Sequence, residues 1–188
     1  MASGLISTRS ASRPFKEGRS FSATGICRLL SGVKHTEAVN EHGHKVLKPA
    51  APGAYKKLPN HVLRPDGTVH HYVEPIHVPT QMEALTNWIA QNIDTLHPIV
   101  TGALAHYNMV RIHPFDDGNG RGARILMNLV LIEKGFTPAI IQNEKRRQYI
   151  ESLVSANNGD ISPVISFVAD SMIDTQNTIL SNLKDTPA

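Results

Sequence analysis

Residues 113–124 read His-Pro-Phe-Asp-Asp-Gly-Asn-Gly-Arg-Gly-Ala-Arg, and an apolar run from Ile125 to Ile132 follows at once. A candidate base, a carboxylate, a glycine-flanked turn and two arginines thus fall within twelve residues at the start of a helix-like segment. The pattern suits anion binding. Glycines allow backbone conformations that other residues resist, and the first turn of a helix has N–H groups without intrahelical partners. The helix dipole adds a field that favours negative charge there. Arg121 and Arg124 are three apart and share a helix face. Two cations in a first turn oppose the dipole, and bound polyphosphate reverses that cost through bidentate guanidinium contacts. Walker A loops carry Gly-Lys-Ser/Thr, which this chain lacks, so a P-loop NTPase is not expected.

Three side chains of the stretch carry the remaining chemistry. Asp117 offers a hard oxygen ligand, and magnesium takes one or two carboxylates together with phosphate oxygens and waters. Asp116, its neighbour, is expected to face solvent. His113 is the candidate general base, since a neutral imidazole accepts protons near neutral pH. Phe115 is expected to anchor the loop in the core.

Around this centre the chain reads as mostly helical. Met82, Leu85, Ile89 and Ile93 fall on one face of a helix that starts after Pro79. His97-Pro98 opens a second, with Ile99, Ala103, Leu104, Tyr107 and Val110 at helical spacing. A third runs from about Gly120 to Lys134 and stops at Gly135. A fourth spans about Asn143 to Ala156, and the last runs from Pro163 to about Leu183. Val62-Leu63 and Thr68 to Val73 flank Arg64-Pro65-Asp66-Gly67, which predicts a hairpin. It is expected to be the only β element. Pro49 to Pro59 reads as an irregular connector, and Ile26 to Val33 suits one or two helical turns.

The 188 residues predict one domain of ordinary size. With 40% hydrophobic residues the composition is globular. The division expected is a variable N-terminal segment over 1–40 and the functional domain over 41–188. The net charge of +3 is mild, and no basic stripe argues for nucleic acid. Cys27 is the only cysteine, so neither an internal disulfide nor a cysteine-built zinc site can form. No run reaches membrane-spanning length. Residues 1–34 are basic and rich in Ser and Thr. That composition resembles a transit peptide, although a flexible tail fits better. A cytoplasmic location is expected, with organelle import or secretion as an effector left open.

The stretch from 113 to 124 closely resembles the signature of the Fic family, His-x-Phe-x-(Asp/Glu)-Gly-Asn-Gly-Arg-x-x-Arg, and every defined position is met. His97-Pro98, Ala103 to Tyr107 and Ile112 resemble the helix leading into it. Tyr149, Ala156-Asn157, Gly159-Asp160 and Pro163 resemble the segment that follows. The likeness covers roughly residues 53 to 175. It implies a mainly α fold, a helical bundle with a small β-hairpin flap, and transfer of AMP from ATP to a hydroxyl of a target protein. On this resemblance His113 would deprotonate the target Ser, Thr or Tyr, and Asp117 would hold Mg2+ on the phosphates. Gly118, Asn119 and Gly120 would form an anion hole, Arg121 and Arg124 would bind outer phosphates, and Asn157 would contact adenine. Ile150 stands where a second aromatic is common in the family.

The hairpin at 60–73 resembles the flap that aligns the target segment by strand addition, with Val62, Leu63, Val69 and His70 as its docking residues. His70 and His71 are not expected to share a metal, since adjacent strand residues face opposite sides. The family's inhibitory motif, (Ser/Thr)-x-x-x-Glu-(Gly/Asn), finds only a degenerate match at Arg13 to Gly18. A degenerate inhibitor, a separate inhibitory protein and loss of self-inhibition are the alternatives, and the reading leans to the last. A homodimer is compatible with it. Two other functions use the same residues: a hydrolase that removes AMP, and a nucleotide-binding module without turnover.

Overall fold

The computed structural model describes residues 35–39, 44–51, 53–64 and 67–184. The segments expected at 1–34, including the Arg13 to Gly18 match and the turns at Ile26 to Val33, lie outside the described residues.

Five helices follow two short hairpins. Helix α1 (Val78–Asn92) buries Val78, Met82, Leu85 and Ile89, the spacing that puts one stripe on one face. Helix α2 (Pro98–Ile112) starts on a proline, which lacks the N–H that a first turn cannot use. The ring of His97 caps it, with Nδ1 accepting from the Ile99 N–H at 3.3 Å. Helix α3 (Asn119–Glu133) carries Ala123, Leu126, Met127, Val130 and Leu131 inward. It ends at Gly135, whose φ of 78° is the left-handed conformation expected past a helix end. Helices α4 (Arg146–Asn157) and α5 (Ser162–Lys184) complete the chain.

The helices α2 and α3 form the centre. Gly102 lets them approach closely, since a Cβ at that position would lie 3.4 Å from the Met127 carbonyl oxygen. One apolar cluster joins α1 to this pair through Met82, Leu85, Ile89, Met109, Phe115 and Leu126. A second joins α4 and α5 to the other side through Met127, Leu131, Leu153, Val164 and Val168. The connection from α2 to α3 is held in the first of these clusters by Phe115. It is the stretch from 113 to 118.

The hairpin predicted near 60–73 is present: strand β3 (Val62–Leu63) pairs antiparallel with β4 (Val69–His70), Val62 opposite His70. The Gly67 N–H closes the turn onto the Arg64 carbonyl at 3.0 Å, while Pro65 and Asp66 lie outside the described residues. It is not the only β element. Strand β1 (His35–Val39) pairs antiparallel with β2 (Lys45–Pro49) in a second two-stranded sheet. Neither strand alternates apolar and polar residues. The one buried residue of β2 is a charged one, Lys48.

Candidate active site

The loop between α2 and α3 is shaped by its own residues. His113 ends α2 at φ 53°, a left-handed conformation uncommon outside glycine. Phe115 then drops into the core, 2% exposed. Buried Asn119 folds back on it, accepting from the Phe115 N–H at 2.9 Å and donating to its carbonyl at 2.8 Å. The Asn119 side chain is thus consumed inside the loop, and only its backbone N–H is left to face a ligand. Gly118 takes φ 75° to start α3. No side chain caps that start, so the amides of Asn119 and Gly120, its first two residues, have no partner inside the helix.

An outer segment holds the same loop from the other side. The Lys56 N–H donates to the Pro114 carbonyl at 2.8 Å. Asn60 donates through Nδ2 to the Phe115 carbonyl at 2.8 Å and more loosely to that of His113 at 3.4 Å. Its Oδ1 in turn accepts from the buried Lys56 ammonium at 2.7 Å. Burial first, and then the Lys48 charge, lower the Lys56 pKa to about 8.

Asp116 does not face solvent. Its carboxylate is 7% exposed and lies 2.7 Å from the equally buried Lys48 ammonium of β2. It also accepts from the Ala51 N–H at 3.3 Å. A carboxylate stays buried when a charge partner is supplied, and here the partner is sixty-eight positions back in sequence. Asp117 is the more open of the two, its carboxylate 43% exposed and 3.3 Å from Arg121. Among the described residues no group of three metal-ligating side chains could hold an ion unaided. One open carboxylate fits an ion that takes its other ligands from phosphate and water.

Most of the predicted site residues meet in one cavity of about 350 Å³. His113, Asp117, Gly118, Asn119, Gly120, Arg121 and Arg124 line it, joined by Thr36, Glu37, Asn60, His61, Val62 and Asp116. Arg124 lies back along the first turn, its Nε donating to the Gly120 carbonyl at 3.0 Å. Asn157 is not there. It lines a second cavity of about 170 Å³ with Val62, Arg64, His70, Tyr72, Tyr107 and Ile150 among others. The Tyr107 hydroxyl donates to Asn157 Oδ1 at 3.1 Å, which leaves the amide nitrogen to face a ligand. Of the flap residues, Val62 and Leu63 are 44% and 42% exposed. Val69 and His70 are half-buried, and Arg64 contacts His70 Nδ1 at 2.7 Å.

The imidazole of His113 is held in one tautomer. Nδ1 lies 3.2 Å from the Val110 carbonyl, an acceptor only, so Nδ1 carries the hydrogen. Nε2 keeps its lone pair. Burial is the main cause that lowers the His113 pKa to about 4, opposed by the Val110 carbonyl and assisted by Lys56 and His70. The Tyr72 ring stacks on the imidazole, centroids 3.7 Å apart and planes at 17°. Sequence reasoning places Tyr72 only in a β-prone arm and Tyr107 only on a helix face, and it overlooks Lys48, Lys56 and Asn60 altogether. The Lys56–Asn60 spacing lies in a proline-rich connector and gives no periodic signal.

The arrangement can cradle an anion beside a neutral base, with a less polar cavity next to it. The sequence model described as the Fic/DOC family matches residues 33–131. A protein adenylyltransferase Fic of Nematostella vectensis is 52% identical over 90 residues, which is 47% of this chain and 21% of that protein. A protein adenylyltransferase Fic of Drosophila erecta is 44% identical over 107 residues, 56% of this chain and 22% of that protein. The solved structure of a Fic-domain-containing signalling protein from Bacteroides thetaiotaomicron superimposes with a TM-score of 0.64 at 33% identity. That match covers 66% of this chain and 53% of the other. The chain spans about a fifth of the length of these two curated relatives.

Proposed function

The chain belongs to the Fic/DOC family, and from that membership we propose that it is a protein adenylyltransferase, moving AMP from ATP to a Ser, Thr or Tyr hydroxyl of a target protein. The observation that carries this reading is the pairing, in one cavity, of a neutral His113 with a glycine-built helix start and two arginines. A binding module needs the cradle but not the base.

In the proposed reaction the target hydroxyl gives its proton to His113 Nε2 as its oxygen attacks the α-phosphorus. The bond from that phosphorus to the bridging oxygen of the β-phosphate breaks, and pyrophosphate leaves. Backbone amides of the first turn of α3 and the guanidinium groups of Arg121 and Arg124 would hold the charge that moves to the outer phosphates. Asp117 would hold Mg2+, which supplies further charge neutralisation on the phosphates. Adenine would occupy the second cavity, against Asn157. The flap residues Val62, Leu63, Val69 and His70 would present the target strand. The domain proposed runs from 41 to 188 together with strand β1, which pairs with it.

Arg124→Ala is expected to weaken ATP binding by about 10- to 100-fold, since hydrogen bonds to charged groups are worth about 1.5–3 kcal/mol. Isothermal calorimetry checks it, and unchanged affinity removes Arg124 from the phosphate site. The reading as a whole is tested by incubating the protein with lysate, Mg2+ and ATP labelled on the α- or the γ-phosphate. Protein labelling from the α-position alone supports AMP transfer. Labelling from the γ-position alone replaces it with a kinase.

A further inference from the structure

Two cavities flank one ring contact. His113 lines the polar cavity and Tyr72 lines the apolar one, and their rings are stacked face to face between them. Val62 lines both. A nucleotide that places its base in one cavity and its phosphates in the other has to cross at this stack.

The stack is built rather than incidental. The Tyr72 backbone N–H donates to His61 Nδ1 at 3.4 Å. The ring takes the edge of His70 at 4.7 Å, and the Lys56 ammonium lies 6.0 Å from its centroid. His113 is fixed on its other side by the Val110 carbonyl. One hydrogen bond fixes the tautomer of an imidazole but leaves the ring able to tilt about it, and a face-to-face neighbour removes that freedom.

We propose that Tyr72 is a positioning residue for the transfer step. Its ring sets the plane of the His113 imidazole and, as the wall between the two cavities, it fixes which phosphate lies opposite Nε2. The inference rests on the adenylyltransferase reading. It also ties target docking to the base, because Tyr72 follows strand β4 by two residues. A segment that adds to the flap therefore pairs with backbone adjoining the group that orients the catalytic nitrogen.

The test compares the protein with Tyr72→Met, Tyr72→Phe and His113→Ala, using α-labelled ATP, Mg2+ and one lysate, with ATP affinity measured apart by calorimetry. Met matches Tyr72 in apolar bulk without a plane, and Phe keeps the plane without the hydroxyl. Misplacing a reacting group by about 1 Å can cost about 100-fold in rate, so Tyr72→Met is expected to lose about tenfold or more in maximal rate with ATP affinity nearly unchanged. Tyr72→Phe should recover most of that loss. A wild-type rate in a folded Tyr72→Met overturns the inference. So does a loss explained by ATP affinity, or a Tyr72→Phe variant as slow as Tyr72→Met; where the Met variant unfolds, Tyr72→Leu serves as the side chain without a plane and is read by the same criteria. Labelling by the unsubstituted protein that disappears in His113→Ala keeps the adenylyltransferase reading standing whatever Tyr72 does. No α-labelling by the unsubstituted protein removes that reading itself.

Discussion

Replacing His113 with alanine is expected to lower AMP transfer by about 10²- to 10⁴-fold, the range a positioned general base contributes, while ATP binding changes little. The cradle amides and both arginines lie on α3 and do not depend on the imidazole. Loss of rate with retained affinity therefore separates a base from a ligand, and retained transfer removes His113 from the mechanism. The pH profile carries the same information. In the free protein burial holds the imidazole neutral down to about 4. The rate at low ATP should thus persist as pH falls through 6.5, the ordinary histidine range, and drop as it approaches 4. Bound phosphates favour the protonated ring, so the acid limb at saturating ATP should lie at higher pH than the limb at low ATP.

The same burial has a consequence for folding. His106, fully buried with Nε2 3.0 Å from the Tyr149 hydroxyl, is also lowered to about 4, mainly by burial. Both rings bind protons in the unfolded chain at a pH where the folded chain leaves them neutral. Their neutral burial costs no stability above about 6.5 and becomes progressively destabilising as pH falls from there towards 4.

Phe115→Ala is expected to cost about 3–5 kcal/mol, the range for truncating a fully buried aromatic. Its ring is packed in the cluster that binds α1 to the central helices, with Tyr55 5.7 Å away. Its backbone is the meeting point of Asn60 and Asn119. A cavity beneath it loosens the loop that carries His113 and Asp117, so stability and transfer should fall together. Thermal unfolding followed by circular dichroism gives the first and α-labelling the second. A melting temperature unchanged from the parent contradicts the anchor role. Phe115→Leu, which refills most of the volume, should retain more of both.

The five helices and the motif loop were legible because their signals are local. Met82, Leu85, Ile89 and Ile93 repeat at helical spacing, Pro98 and Gly135 punctuate, and the twelve residues from His113 to Arg124 sit next to one another. The flap hairpin was legible from β-prone residues around a turn. The first hairpin was not, because the one buried residue of β2 is a lysine, and hydrophobic periodicity is blind to buried charge. The same gap misplaced Asp116: a carboxylate reads as surface unless its partner is known, and Lys48 is remote in sequence. Tyr72 was visible as a residue but not as a neighbour of His113, since only the folded chain brings the flap strand against the end of α2.

The anchoring of the loop by Lys48, Lys56 and Asn60 also sets where this chain can be dissected. All five helices lie from Val78 onward, so a fragment trimmed to the regular bundle keeps the whole signature from His113 to Arg124 and every residue of the anion cradle. It nevertheless strips the donor from the Pro114 carbonyl and one of two from that of Phe115, the ammonium from Asp116 and the plane from the face of His113. The smallest autonomous unit is therefore defined by the backbone satisfaction of one loop and not by the span of its helices, and it reaches back through the first hairpin.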